Sequence, residues 1–213
     1  MGLRYGVARL LVNVMIITVV GLATVRAGAE TVIVALGDSI TAGFGLAADQ
    51  AFPMQLERAL RAGGLAVRVV NAGVSGDTTA GGLARLGWVL GDKPQAAIVA
   101  LGANDVLRGI DPAETEANLD RILTRLKATN VRVLLAGMLA PSNLGADYRG
   151  AFDAIYPRLA AKHGVPLYPF FLKDVALDRA LNQGDGIHPT ANGVERIVRN
   201  ILPQVRALVE AKP

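Results

Sequence analysis

Cysteine is absent from this chain of 213 residues, and histidine occurs only at His163 and His188. The first absence excludes disulfides, thiolate-bound zinc, iron–sulfur clusters and a cysteine nucleophile. The second leaves no set of three histidines to hold a metal ion within one chain. A reaction that needs a base near neutral pH has few side chains to draw on. We expect neither a metal nor a cofactor.

The chain also lacks any run of basic residues interleaved with aromatics, although its formal charge is +4. Three of its 22 basic residues, Arg4, Arg9 and Arg26, lie in the first 29 residues, which contain no Asp or Glu. Without these three, 19 basic and 18 acidic residues remain. A nucleic-acid-binding surface is therefore not supported, and we expect no nucleic-acid partner.

The first 29 residues have the pattern of an export signal. A basic start is followed by an apolar stretch from about Leu10 to Val25, and Ala27 and Ala29 place small residues at alternate positions. We predict cleavage after Ala29, with cleavage after Ala27 and a retained membrane anchor as alternatives. Polar residues within the stretch weaken the anchor, because a spanning helix needs about 20 apolar residues.

From residue 30 onward, five short apolar runs alternate with helical patterns. The runs are Thr31–Leu36, Ala66–Val70, Ala96–Leu101, Val131–Met138 and Val165–Tyr168. Most are apolar throughout, which is typical of parallel strands covered on both faces. Five strand–helix units with short connections predict one α/β domain over residues 30–213, a doubly wound parallel sheet with helices on both sides.

Two helical segments carry apolar stripes at helical spacing. The first stripe comprises Leu119, Ile122, Leu123 and Leu126, and the second comprises Val194, Ile197, Val198, Ile201 and Leu202. We expect Pro203 to end or kink the last helix, since proline cannot donate a helical hydrogen bond.

Polar residues follow several strand ends, where an open parallel sheet binds its ligands. These segments are Gly37-Asp38-Ser39, Asn71 to Thr79, Gly102-Ala103-Asn104-Asp105 and, in the last loop, Asp185-Gly186-Ile187-His188. Because each loop follows a strand end, side chains far apart in sequence can converge at one edge.

These residue types suffice for acyl transfer without a metal. The Ser39 hydroxyl becomes a nucleophile when a base such as His188 takes its proton. Asp185 lies three residues before His188, a spacing that lets its carboxylate reach the other ring nitrogen. Backbone N–H groups of Ser39 and around Gly76, with the Asn104 amide, are candidate donors to an oxyanion.

Each feature also has a structural alternative when taken alone. Asp38 with Ser39 after a strand is typical of a helix cap, and Asn104 of a turn. Asp185 before His188 would fit a capped helix start.

The remaining histidine and several aromatics have structural interpretations. His163 precedes Gly164, so we expect a favourable cation at a helix C-terminus or a solvated residue. We expect Trp88, Phe170 and Phe171 in the core or in a pocket wall.

Together, the four loops resemble the SGNH (GDSL) hydrolases. The resemblance rests on Gly37-Asp38-Ser39, Gly76, Asn104 in Gly-x-Asn-Asp and Asp185-x-x-His188, in that order across nearly the whole chain after residue 29. Further segments are similar to the periplasmic thioesterase I/lysophospholipase/arylesterase subgroup: Ser75-Gly76-Asp77-Thr78, Gly102 to Gly109, Ala154-Ile155-Tyr156-Pro157 and Gly186-Ile187-His188-Pro189.

The resemblance implies a flavodoxin-like three-layer α/β/α fold with a five-stranded parallel sheet. It implies Ser39 as nucleophile, His188 as base and Asp185 as its orienting acid. The implied oxyanion hole comprises the N–H groups of Ser39 and Gly76 and the Asn104 side chain.

The resemblance also implies an esterase or thioesterase in the periplasm of a Gram-negative bacterium. We expect a monomer acting on small esters or thioesters with acyl or aryl groups, with membrane lipids as one source of substrate. The segment Leu139–Tyr148 corresponds to one that covers the acyl chain in the subgroup. It is mostly apolar or small, which favours acyl chains.

Three alternatives come from other classes. A carbohydrate O-acetyl esterase would use the same residues, and a non-catalytic lipid- or glycan-binding module would use the same scaffold. A nucleotide-binding site is suggested by Gly43-Phe44-Gly45-Leu46-Ala47-Ala48, which fits G-x-G-x-x-A. Its glycines begin about six residues too late after the strand, and the second strand ends in Asn71 rather than an acid. The chain contains no G-x-S-x-G elbow of the α/β-hydrolases.

Overall fold

Five parallel strands in the order β2-β1-β3-β4-β5 form the centre of the protein in a computed structural model, which describes residues 30–211. The strands are β1 (Thr31–Gly37), β2 (Val67–Gly73), β3 (Ala96–Ala100), β4 (Arg132–Ala136) and β5 (Leu167–Tyr168). All neighbours pair in parallel. The flavodoxin-like sheet predicted from the sequence is therefore confirmed. The export signal predicted at residues 1–29 lies outside the described residues.

Helices connect these strands and cover both faces of the sheet. They are α1 (Ser39–Ala42), α2 (Phe52–Ala62), α3 (Thr79–Ala84), α4 (Leu86–Gly91), α5 (Ala103–Leu107), α6 (Pro112–Ala128), α7 (Ala146–Asp153), α8 (Ile155–His163) and α9 (Ala191–Glu210). One layer contains α2 packed on α9, and the other contains α3 and α8 packed on α6. No helix within residues 30–211 is long and apolar enough to span a bilayer.

The central strands are buried as predicted, whereas the edge strand β2 is not. Every residue of β3 is buried, and so is β1 from Ile33 onward. In β2, by contrast, Val67 and Val69 are buried and Arg68 is exposed. The pattern alternates because α2 packs against this edge strand, while the opposite face is more open to solvent.

The two apolar helix stripes are confirmed, and helix α9 does not end at Pro203, one of the two outcomes expected there. All four residues of the α6 stripe are fully buried, and the α9 stripe is buried except at Leu202, which is partly covered. Helix α9 begins after its Thr190 cap and continues through Pro203 to Glu210. Val205 and Leu208 beyond the proline are buried, and their packing offsets the hydrogen bond that proline removes.

Trp88 is not a core residue, because its side chain is 88% exposed. Leu86 and Val89 are the buried residues of α4, and a residue between them in sequence falls on the opposite face of the helix. Phe171 does belong to the core, where its ring meets Phe52 edge-on with centroids 5.0 Å apart.

Candidate active site

The carboxyl ends of β1 and β3 form the topological switch point of the sheet. From β1 the chain runs to β2 on one side, and the next strand, β3, lies on the other side of β1. Ligands of open α/β sheets bind in the crevice at such a point. Ser39 begins α1 immediately after β1, and Asn104 lies in the first turn of α5 after β3. The fold thus places both residues at the expected binding edge.

The Ser39 hydroxyl, the His188 ring and the Asp185 carboxylate form a continuous line of hydrogen bonds. Nε2 of His188 lies 2.9 Å from Oγ of Ser39, and Nδ1 lies 2.6 Å from Oδ2 of Asp185. Ser39 and His188 are 149 residues apart in sequence, so only the tertiary fold joins them. The structure brings together three residues that the sequence singled out.

The turn from Asp185 to His188 is held by the carboxylate itself. Oδ1 of Asp185 accepts the backbone N–H groups of Ile187 at 2.9 Å and His188 at 3.0 Å. Gly186 supplies a left-handed φ of 72° within this turn. The backbone N–H of His188, then its ring, then the Ile187 N–H hold the pKa of Asp185 well below its usual range. The ionised carboxylate can therefore orient the imidazole and stabilise an imidazolium.

Asp38 is buried directly before Ser39 and does cap helix α1. Its Oδ1 accepts the Ile40 N–H at 3.0 Å, and its Oδ2 lies 3.5 Å from Nδ2 of Asn104. Burial raises the pKa of Asp38 to about 6. Because an amide carries two N–H bonds, one bond of Asn104 remains for a ligand. Asp38 is therefore a helix cap, as the structural alternative states, and it also contacts Asn104.

Gly76 lies in a tight turn after β2, at the same edge of the sheet. Its φ of +83° is left-handed, a conformation that glycine adopts without strain. The Asp77 N–H donates to the Val74 carbonyl at 3.1 Å, and the Val74 N–H donates to the Gly37 carbonyl at 3.1 Å. The turn is therefore attached to the end of β1. The three candidate oxyanion donors lie on three loops that follow β1, β2 and β3.

Phe44 and Gln183 contact the His188 loop and were not identified from the sequence. The Phe44 ring lies against the His188 ring, with centroids 4.5 Å apart. Nε2 of Gln183 donates to the carbonyls of Phe44 at 2.8 Å and Pro189 at 2.9 Å. The glycine-rich segment that fits a nucleotide motif thus supports the His188 loop. No local pattern predicts a contact between residues 139 apart in sequence.

An apolar groove of about 440 Å³ is lined by residues next in sequence to the candidate site residues. Ile40, Ala103 and Ile187 line it, and they are the sequence neighbours of Ser39, Asn104 and His188. Further walls come from residues 138–142 and from Phe170. The prediction of Phe170 as a pocket-wall residue is therefore confirmed. The groove has room for an apolar chain.

The second histidine lies away from this edge, on the outer helical layer. Nε2 of His163 is 2.7 Å from Oδ1 of Asp120, which also pairs with Nζ of Lys162 at 2.8 Å. The His163 side chain is only 9% exposed, so the alternative of a solvated residue is wrong. Helices α6 and α8 pack together here and cover the ring. His163 is the last residue of α8, which is the position expected for a histidine at a helix C-terminus.

A hydroxyl, an imidazole and a carboxylate in line at the switch point of a parallel sheet are the features of an α/β serine hydrolase. Residues 35–196 match the GDSL-like Lipase/Acylhydrolase family. Esterase TesA of Pseudomonas aeruginosa is 41% identical over 189 residues, which cover 88% of this chain and 94% of the relative. The chain therefore belongs to the GDSL, or SGNH, hydrolase family, and it is a carboxylic ester hydrolase.

Two further comparisons agree with this assignment. Thioesterase 1/protease 1/lysophospholipase L1 of Escherichia coli K12 is 42% identical over 189 residues, covering 88% of this chain and 89% of the relative. AlinE4, an SGNH-hydrolase family esterase, is 50% identical in sequence to this chain, and its crystal structure superposes with a TM-score of 0.72. That match covers 86% of this chain and 99% of the AlinE4 chain.

Proposed function

We propose that Ser39 is the nucleophile, His188 the general base and Asp185 the residue that orients the imidazole. The observation that carries this proposal is the 2.9 Å contact between Nε2 of His188 and Oγ of Ser39, with Nδ1 held by Asp185 at 2.6 Å. This is the distance at which a base can take the hydroxyl proton.

The reaction proceeds through an acyl-enzyme on Ser39. Oγ attacks the carbonyl carbon while its proton passes to Nε2 of His188, and a tetrahedral intermediate forms. Its oxyanion accepts the N–H groups of Ser39 and Gly76 and one N–H of the Asn104 amide. His188 returns the proton to the leaving oxygen or sulfur as that bond breaks. Water then attacks the acyl-enzyme and His188 takes its proton. His188 returns this proton to Oγ of Ser39 as the acyl–oxygen bond breaks, which releases the acid and restores the enzyme.

The substrate is an ester or thioester with an apolar acyl or aryl group. The apolar lining of the groove beside Ser39 supports this class, because it offers few polar partners to sugar hydroxyl groups. One relative's name includes thioesterase and lysophospholipase, which supports acyl chains and a lipid source. Export would separate the enzyme from cytoplasmic acyl-CoA, so oxygen esters fit the natural role better.

Residues 1–29 direct export to the periplasm of a Gram-negative bacterium, and residues 30–213 form one monomeric hydrolase domain. The basic, apolar and small-residue segments of the N-terminus support export. N-terminal sequencing of the protein from a periplasmic extract should find Glu30 first. A first residue at position 28 would move the cleavage to Ala27, and a retained Met1 would favour the anchor.

The direct test is hydrolysis of p-nitrophenyl esters from acetate to palmitate by residues 30–213, with Ser39→Ala measured beside it. We expect Ser39-dependent turnover with an optimum at medium or long chains. A sharp preference for acetate would indicate a deacetylase instead. Absence of Ser39-dependent turnover on every ester would contradict the catalytic proposal and indicate a binding module.

A further inference from the structure

The oxyanion donors proposed above belong to three separate loops, so something must hold their relative positions. A donor stabilises an oxyanion only when it is fixed near the place where charge develops. Gly76 is the least constrained of the three by its own chemistry, because glycine has access to the widest range of backbone angles. The contacts around its turn therefore decide where its N–H points.

Arg85 ties the Gly76 turn to the loop that carries Ser39. Its Nε donates to Oδ2 of Asp77, the residue after Gly76, at 2.5 Å. Its Nη2 donates to the carbonyl of Gly37, two residues before Ser39, at 2.9 Å. The Arg85 and Asp77 side chains are only 21% and 16% exposed, so water screens this pair less than a surface pair.

Arg108 ties the same turn to the helix that carries Asn104. Its Nη2 donates to the Gly76 carbonyl at 2.7 Å. Arg108 follows the last residue of α5, and its own N–H donates to the Asn104 carbonyl at 3.1 Å. One exposed guanidinium thus connects the backbone of two donor loops.

Helix α5, from which Arg108 extends, is itself held in place by buried hydrogen bonds. The buried carboxylate of Asp105, next to Asn104, accepts the Thr79 N–H at 2.9 Å and the Thr115 hydroxyl at 3.3 Å. Because Asp105 is fully buried and multiply bonded, α5 is fixed to α3 and α6. Arg108 therefore connects an anchored helix to the Gly76 turn, which the Val74–Gly37 hydrogen bond and Arg85 hold from the β1 side.

We propose that Arg85 and Arg108 are positioning residues that lock the three oxyanion-donor loops into one unit, with the Gly76 turn at its centre. Neither residue touches the reacting atoms. Arg85 fixes the Gly76 turn relative to Ser39, and Arg108 fixes it relative to Asn104. This inference rests on the catalytic roles proposed above for Ser39, Gly76 and Asn104.

The two arginines differ in whether a lysine can reproduce their contacts. Arg108 makes one bond to the turn, which a lysine ammonium can reproduce. Arg85 bonds a carboxylate and a carbonyl at once through separate nitrogens of a planar group, and a point charge fits that arrangement poorly. Lysine should therefore rescue position 108 and fail at position 85.

The experiment compares Arg108→Gln, Arg108→Lys, Arg85→Gln and Arg85→Lys on a soluble p-nitrophenyl ester, with melting temperature measured for each variant. Arg58→Gln is the matched control, since Arg58 is also exposed and donates to one backbone carbonyl, that of Asp49, at 2.6 Å. Removing a donor costs about 10²–10³-fold in kcat, so displacing one should cost about tenfold.

We expect both glutamine variants and Arg85→Lys to lose about tenfold in kcat with little change in KM. Arg108→Lys should stay within about threefold of the wild type, and Arg58→Gln should match it. Inactivation by a p-nitrophenyl phosphonate, whose P–O⁻ group needs the same donors, should slow in parallel. Combining Arg108→Gln with Asn104→Ala should cost less than the product of the single losses, because both act on one hole.

Several outcomes would overturn the proposal. A loss in Arg108→Gln that disappears between about 0.05 and 0.5 M salt would indicate a screened charge effect instead of positioning. A change confined to KM or to melting temperature, or an unchanged kcat in Arg108→Gln, would also contradict it. If Arg85→Gln fails to fold, the two variants of the exposed Arg108 still test the proposal. A fully active Ser39→Ala would remove the catalytic proposal itself, whereas an inactive Ser39→Ala beside unaffected arginine variants would remove only the positioning roles.

Discussion

Each of the two histidines of this chain contacts an aspartate, but the two pairs lie in different parts of the fold. His188 and His163 each lie beside an aspartate, at 2.6 and 2.7 Å respectively. The other ring nitrogen of His188 meets the Ser39 hydroxyl at the edge where the strands end. His163 shares Asp120 with Lys162 between two packed helices. A histidine–carboxylate pair therefore does not mark a reactive site by itself; the site proposed here rests on the hydroxyl and its place on the sheet.

Removing the Ser39 hydroxyl, which contacts His188 and not His163, should have the largest effect. We expect Ser39→Ala to lower kcat by about 10⁴-fold or more, because no acyl-enzyme can form. Steady-state hydrolysis of a p-nitrophenyl ester measures this. Retention of a tenth of the activity would show that another group attacks the carbonyl.

Exchanging each histidine for alanine tests the comparison itself. His188→Ala should lose about as much turnover as Ser39→Ala, since the serine then lacks its base. His163→Ala should keep kcat within about twofold of the wild type and lower the melting temperature by a few degrees, the effect of losing one partly buried hydrogen bond to a carboxylate. Similar kinetic losses in both variants would mean that His163 also serves the reaction.

The third prediction concerns the amide beside the histidine–serine pair. Asn104→Ala should lower kcat by about 10²–10³-fold while KM changes little, because the oxyanion loses one donor. Asn200→Ala is the control, as this exposed amide donates to the Lys173 carbonyl at 3.0 Å on another part of the surface. If Asn104→Ala changes only KM, its amide binds substrate and does not stabilise the oxyanion.

The smallest effects on catalysis belong to the pH dependence of stability, where the two regions should differ in sign. The pKa of buried Asp38 is raised from 3.8 to about 6, so its stabilising contribution is present below pH 4 and lost as pH rises through 6. Asp38→Asn should remove this loss, about 3 kcal/mol at about 1.4 kcal/mol per pK unit. Urea unfolding of both proteins between pH 4 and 7 measures the difference. A constant difference across this range would contradict the assignment.

Asp120, beside His163, should show the opposite dependence. Lys162 first, and His163 next, lower the pKa of Asp120. Its contribution is therefore present near neutral pH and lost as the pH falls through its lowered value. Asp120→Asn should destabilise the protein at pH 7 and have less effect in acid, as urea unfolding would detect. A destabilisation that grows as the pH falls would be inconsistent with this ion pair.

The sequence predicted what local patterns encode. Apolar runs and stripes marked the central strands and the faces of α6 and α9, and short motifs at strand ends marked the four loops that the fold gathers. Trp88 was misplaced because α4 is too short to display a clear period. The end expected at Pro203 did not occur, since buried side chains beyond it hold the helix.

What the sequence missed depends on distant contacts. Gln183 reaches Phe44 across 139 residues, and Arg108 reaches Gly76 across 32. Such contacts leave no periodic signal, because each depends on where two loops meet after folding. The export signal and the site roles remain predictions, with the measurements described above.

Covalent labelling of the serine tests the central claim most directly. We would treat residues 30–213 with a p-nitrophenyl phosphonate and map the modified residue by tandem mass spectrometry, in the wild type and in the His188→Ala and His163→Ala variants. The account predicts one adduct, on Ser39, at full rate in the wild type and in His163→Ala, and strongly slowed in His188→Ala. An adduct on another residue, or labelling of Ser39 that does not depend on His188, would contradict it.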